Sequence, residues 1–158
     1  IASIGERYGT RGDDAAIVAA PGTTSATSAT SARRQNIVKG WRVVRDHENR
    51  LKTSFITGAE KIPGLHIYGV TDLNRLHERT ATFAVSVDGL HPEMLCKQLT
   101  DANIYCTSGN HYCTFWDEQF RDQGLNGTDG VTRIGFLHYN TMEDVERVLG
   151  TLENIVSK

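Results

Sequence analysis

The sequence has no apolar run approaching the roughly 20 residues that cross a bilayer, and no excess of either charge. Its 17 basic and 19 acidic side chains leave a formal net charge of −2. The first absence excludes a membrane-spanning helix. The second argues against a nucleic-acid binder driven by phosphate contacts, which carries a basic stripe. Cysteine is scarce: Cys96, Cys106 and Cys113 are odd in number and lack C-x-x-C spacing. That excludes a disulfide-stapled secreted scaffold and favours a reducing, cytoplasmic setting. Also missing are the glycine-rich dinucleotide and P-loop fingerprints, H-E-x-x-H and G-x-S-x-G. Cys106, His111, Cys113 and His138 do not follow a structural zinc spacing, so no metal site is expected. The chain opens Ile1-Ala2-Ser3-Ile4-Gly5 without methionine or a signal segment, and it is read as a fragment of something longer.

What is present fits one small core. The 158 residues are 39% apolar and 23% charged. Ile1 to Tyr8 is helix-like, and residues 22–32 form an uncharged Ser/Thr/Ala tract expected to be a mobile loop. From Arg33, apolar residues Ile37, Trp41, Val44, Leu51, Phe55, Ala59 and Ile62 recur at helical spacing. They predict a long N-terminal amphipathic helix ended by Pro63-Gly64, with Trp41 as a core anchor.

Strands are expected at Leu65 to Gly69, Ala81 to Val87, Ile104 to Thr107 and Val131 to Leu137, with residues 70–79 as a charged loop. Helices are expected from Pro92, over Phe115 to Gln123, and after Thr141, whose spacing to Asp144 is that of a capping box. This order predicts an α+β fold: a small, mostly antiparallel sheet covered by helices on one face.

Two segments carry the functional signal. Thr107 to Cys113 is a polar loop that includes Gly109, Asn110, His111 and Tyr112. In Val131 to Leu137, Arg133 stands mid-strand near the small Gly135. A guanidinium there needs water or an anionic partner. Its planar donors suit a carboxylate held by two hydrogen bonds, and a structural salt bridge would satisfy it equally.

The segment Gly130-Val-Thr-Arg-Ile-Gly-Phe-Leu-His-Tyr-Asn-Thr-Met-Glu-Asp-Val145 resembles the C-terminal signature of class V aminotransferases of fold type I, the cysteine-desulfurase-like group. Ile62 to Gly69, Glu78 to Val85 and Ile104 to Gly109 resemble that family's strands in the same order, and Ile1 to Gly5 its preceding helix. The resemblance implies residues 1–32 as the end of a preceding domain with the flexible tract, and 33–158 as the C-terminal small domain. It implies a pyridoxal-phosphate enzyme, usually a homodimer, acting on an amino-acid-like substrate. Arg133 matches the arginine that binds the substrate carboxylate, and Gly109 to Tyr112 fall on the mobile active-site loop. None of Lys39, Lys52, Lys61, Lys97 and Lys158 fits the motif of the Schiff-base lysine. The fragment alone is therefore expected to be inactive, with no catalytic residue of its own. Tyr112 stands where desulfurases carry their sulfur-accepting cysteine, and Cys113 is one residue late. The rival reading is a non-catalytic α+β ligand-binding or dimerisation module of the same architecture.

Overall fold

The computed structural model describes residues 28–113 and 129–157. The chain divides into two compact units, Ile1–His47 and Glu48–Lys158. The expected helices at Ile1 to Tyr8 and Phe115 to Gln123 lie outside the described residues. Helix α1 runs over Ser28–Ala59. It begins within the tract expected to be a loop, whose last five residues are helical. Alanine has the highest helix propensity, and the tract contains no glycine or proline after Gly22 to oppose it.

The buried cluster begins at Leu51 and includes Phe55, Ile56 and Ala59 from α1. Trp41, expected as a core anchor, is 54% exposed. Helical period marks a stripe along the whole helix, but it does not determine what each turn of that stripe meets.

Four strands follow: β1 (Leu65–Tyr68), β2 (Thr82–Val87), β3 (Thr107–Gly109) and β4 (Val131–Gly135). They form one antiparallel sheet in the order β1-β2-β4-β3. A 3-10 helix at Leu73–Glu78 occupies the segment expected as a charged loop, capped by Asp72 accepting from the Asn74 N–H. Helix α2 spans Pro92–Asp101, with His91 as N-cap and proline in the first turn; helix α3 spans Met142–Val156.

Register assigns the two faces. Leu65 pairs with Val87, Ile67 with Val85, and Phe83 with Ile134. These side chains point to one side and, apart from the half-buried Ile67, are buried. The rings of Phe55 (α1), Phe83 (β2) and Phe136 pack with centroids 4.4 to 6.1 Å apart. Thr132, on the same side, donates to the Pro92 carbonyl at 2.8 Å and so ties β4 to the start of α2. Val145, Val148 and Leu152 bring α3 to this core. A Cβ on Gly58 would come within 2.3 Å of Leu149, so glycine lets α1 and α3 approach closely. The Glu48–Ala59 part of α1 thus joins α2 and α3 over one face of the sheet.

One strand is displaced from its expected place. Ile104 to Thr107 was expected as β3, yet pairing begins only at Thr107. Asn103 takes a left-handed φ of 58°, and the Ile104 N–H returns to the Leu99 carbonyl at 2.9 Å. Ile104 is therefore buried in the end of α2's turn rather than in the ladder.

Candidate functional site

The opposite face of the sheet carries Arg133. Register sets it in a cross-strand row, Tyr68 (β1), Ala84 (β2), Arg133 (β4), Thr107 (β3). Its immediate neighbours are small, and Gly135 follows two residues along on the same side. Arg133 is exposed, and its guanidinium makes no hydrogen bond or ion pair with any described residue. Of the two partners left open by sequence, a salt bridge to a described carboxylate is not formed. On this face Val131 is fully buried, Tyr68, Ala84 and Ser86 are half-buried, and His66, Thr82 and Thr107 are exposed.

The polar loop starts on the same surface. Gly109 ends β3 opposite Val131, two residues along β4 from Arg133, or about 7 Å at strand rise. The next residues form a tight turn. The Cys113 N–H donates to the Asn110 carbonyl at 2.9 Å, and the Tyr112 N–H to Asn110 Oδ1 at 3.1 Å. His111 and Tyr112 have left-handed φ values of 50° and 63°. Conformations of this kind cost on the order of 1–3 kcal/mol each and persist only where surroundings over-determine them. Here His111 is held by contact of its Nε2 with the Val131 carbonyl at 3.2 Å. Asn110 is exposed, His111 half-buried and Tyr112 99% exposed. The structure thus brings Gly109 and His111 to the strand of Arg133 and leaves the Tyr112 side chain in solvent.

The glycine that opens the Arg133 segment fixes this arrangement. Gly130, at φ 69°, lies against the loop base; a Cβ there would come within 2.1 Å of the Gly109 backbone and 2.6 Å of the Asn110 nitrogen. The Asp129-Gly130 pair directly before a strand was the available signal, because Asp-Gly favours such turns.

The Tyr-Asn-Thr segment has a structural explanation. Asn140 Oδ1 accepts from the Leu137 N–H at 2.8 Å, which closes the exit from β4. Thr141 caps α3, its hydroxyl accepting from the Asp144 N–H while Asp144 Oδ2 accepts from the Thr141 N–H at 2.9 Å. Those bonds, from the Thr141 backbone first and Asn140 next, hold the Asp144 carboxyl below its ordinary pKa.

On the core side, Lys52 is 4% exposed and its Nζ donates to the carbonyls of Leu76 (2.6 Å) and Arg79 (2.9 Å). Arg79 donates to the carbonyls of Val70 and Thr82 and lies 4.2 Å from the centre of the Phe83 ring. Burial pushes its guanidinium pKa down. These two cations clamp residues 70–82, which lead into β2.

The lysines bear on whether this chain could anchor pyridoxal phosphate. Lys39 and Lys52 belong to α1, Lys61 to the turn after it, and Lys97 to α2, where it pairs with Asp101 at 2.7 Å. None belongs to the strands around Arg133, and Lys52 is engaged by two carbonyls. The described residues therefore do not fit the anchoring of that cofactor. A groove of about 460 Å³ beside β1, lined by Ala59, Leu65, His66 and Tyr68 among others, does not include Arg133.

The four-stranded antiparallel sheet with its helices is a fold shared with known proteins. The Aminotransferase class-V family model matches residues 21–148. The chain belongs to the class V aminotransferase family, whose members depend in general on pyridoxal phosphate. It is 24% identical over 123 residues to the aminotransferase-like protein FGM3 of Gibberella zeae, covering 77% of this chain and 30% of that one. Its structure resembles the apo cysteine desulfurase of Thermococcus onnurineus NA1, with TM-score 0.64 and 27% identity over 80% of this chain and 29% of that chain. A NifS-like protein gives TM-score 0.56 and 25% identity, with 80% and 32% covered. The chain thus spans about a third of the length of these relatives. Among the described residues, no helix is long and apolar enough to cross a membrane.

Proposed function

We propose that this chain is the C-terminal small domain of a cysteine-desulfurase-like, pyridoxal-phosphate-dependent enzyme. In this reading residues 33–158 make up that domain and 1–32 end the preceding one. The domain binds the carboxylate of an amino-acid-like substrate through Arg133 and contributes Gly109, Asn110, His111 and Tyr112 as an active-site loop. The cofactor's anchoring lysine belongs to the rest of a homodimeric parent.

The observation that carries the reading is Arg133 itself. It is an exposed guanidinium on an open sheet face, flanked by Ala84, Thr107 and Gly135, without a partner among the described residues. Small neighbours leave room for a ligand, and the planar fork matches a carboxylate. A loop starting two residues away can exclude water from such a contact.

Arg133→Lys in the full-length parent tests this. Lysine keeps the charge and loses the fork, so amino-acid binding should weaken by about 1–3 kcal/mol, with cofactor affinity unchanged. Equal substrate affinity in both proteins, with the fold intact, would remove Arg133 from the site.

A further inference from the structure

Cys96 and Cys106 face each other across the junction of α2 with the segment leading into β3. The Cys106 thiol donates to Cys96 Sγ at a sulfur–sulfur distance of 3.3 Å, and the Cys96 thiol donates to the Cys106 carbonyl at 3.3 Å. Both thiols are free and half-buried. No step of the proposed function uses them. The third cysteine, Cys113, sits in the loop turn.

We propose that Cys96 and Cys106 are a redox-active dithiol that closes to a disulfide by exchange with a low-molecular-weight disulfide such as glutathione disulfide. Closure requires the sulfurs to approach from 3.3 Å to about 2.05 Å. Burial holds Cys106 as the thiol, so Cys96 makes the first attack and Cys106 the second.

In the first step the Cys96 thiolate attacks one sulfur of glutathione disulfide. A bond forms between Cys96 and that sulfur, the glutathione disulfide bond breaks, and one glutathione thiolate leaves and takes up a proton. In the second step the Cys106 thiol gives its proton to water and its sulfur attacks Cys96 Sγ. The Cys96–Cys106 bond forms and the second glutathione leaves as a thiol. The two cysteines lose two electrons and two protons, and glutathione disulfide is reduced to two thiols.

Burial, then the hydrogen bond and charge of Cys96, push the Cys106 thiol up to about 12. Glutathione on Cys96 removes that sulfur's charge from beside Cys106, while burial, the largest cause, remains. Proximity favours the second step, because an attacking sulfur already beside its target reacts as a unimolecular group. Cys106 directly precedes Thr107, which pairs with Arg133. Oxidation would thus tie the edge strand of the sheet to α2.

The test equilibrates the 158-residue chain in glutathione buffers of stepped oxidation, quenches with an alkylating agent and maps peptides by mass. A Cys96–Cys106 disulfide should replace the two thiols, with the glutathione adduct on Cys96 a minor species. Cys106→Ser should convert that disulfide into an accumulating adduct on Cys96, and Cys113→Ser should leave the pairing unchanged. A lasting adduct on Cys96 in the unsubstituted chain, pairing through Cys113, or free thiols in the most oxidising buffer would each overturn the proposal.

Discussion

Gly130 lies so close to Gly109 that a methyl group on it would meet the Gly109 carbonyl carbon and oxygen at 2.1 Å. The contact is backbone on backbone, between the residue before β4 and the last residue of β3. No side-chain rotation can relieve it. The base of the candidate loop is therefore set by two residues without side chains.

Gly130→Ala should accordingly destabilise the chain by more than the 1–3 kcal/mol or so of a left-handed non-glycine residue, since the steric overlap adds to it. Urea unfolding monitored by circular dichroism measures the loss. A variant of unchanged stability would show that β3 and the loop base yield easily.

The α3 cap predicts an acid-side pH dependence. Hydrogen bonds from the Thr141 backbone and Asn140 favour the ionised Asp144, so its folded pKa lies below the unfolded value of about 3.9. Stability from this group is fully present above that unfolded value and is lost as pH falls through the lowered one. Thr141→Ala should cost about 0.5–2 kcal/mol near neutral pH. Asp144→Asn should flatten the acid limb of the stability profile, and an unchanged limb between pH values of about 5 and 2 would assign it to other carboxylates.

Lys52→Met should destabilise by about 1–3 kcal/mol. Methionine matches the length of the buried stem but leaves the Leu76 and Arg79 carbonyls without their ammonium donor. The same engagement bears on the cofactor. Pyridoxal phosphate mixed with the isolated chain and reduced with borohydride should give no stoichiometric adduct at a single lysine, as read by mass spectrometry. Such an adduct on Lys52 would show that its amine leaves both carbonyls readily.

The loop sets an expectation for sulfur chemistry. Tyr112 is 99% exposed, Cys113 is half-buried, and the turn at 110–113 is closed rather than extended. In the full-length parent, Cys113→Ser should keep most turnover, and added cysteine should leave no persulfide on this loop. A persulfide on Cys113 together with lost turnover in the serine variant would make it the sulfur carrier.

Much of this fold was legible because its signals are local. Phe83, Val85 and Val87 alternate with more polar neighbours, and Thr141 with Asp144 spells a cap; both readings depend on residues a few positions apart. β3 was misplaced because Ile104 looks like a strand residue, whereas its backbone is captured by Leu99 and only β4, some 25 residues later, determines where pairing begins. Arg133 stood out as a charge in an apolar strand. Its row with Ala84 and Thr107 could not be read from sequence, since register across three strands is a tertiary property. The same holds for Gly58 and Gly130, where each glycine answers to a distant neighbour.

The sheet order β1-β2-β4-β3 also sets a timetable for a chain made from its N-terminus. β1 and β2 can pair at once, but the free edge of β2 waits for β4, and 43 residues lie between Val87 and Val131. At about 5–20 residues per second, that interval is roughly 2–9 s of synthesis. Throughout it the β2 edge, with Phe83 and Val85, lacks its permanent neighbour, and β3 has no strand to join. The last strand to emerge thus seals the middle of the sheet, which makes Val131 to Gly135 the segment on which escape from aggregation during synthesis depends.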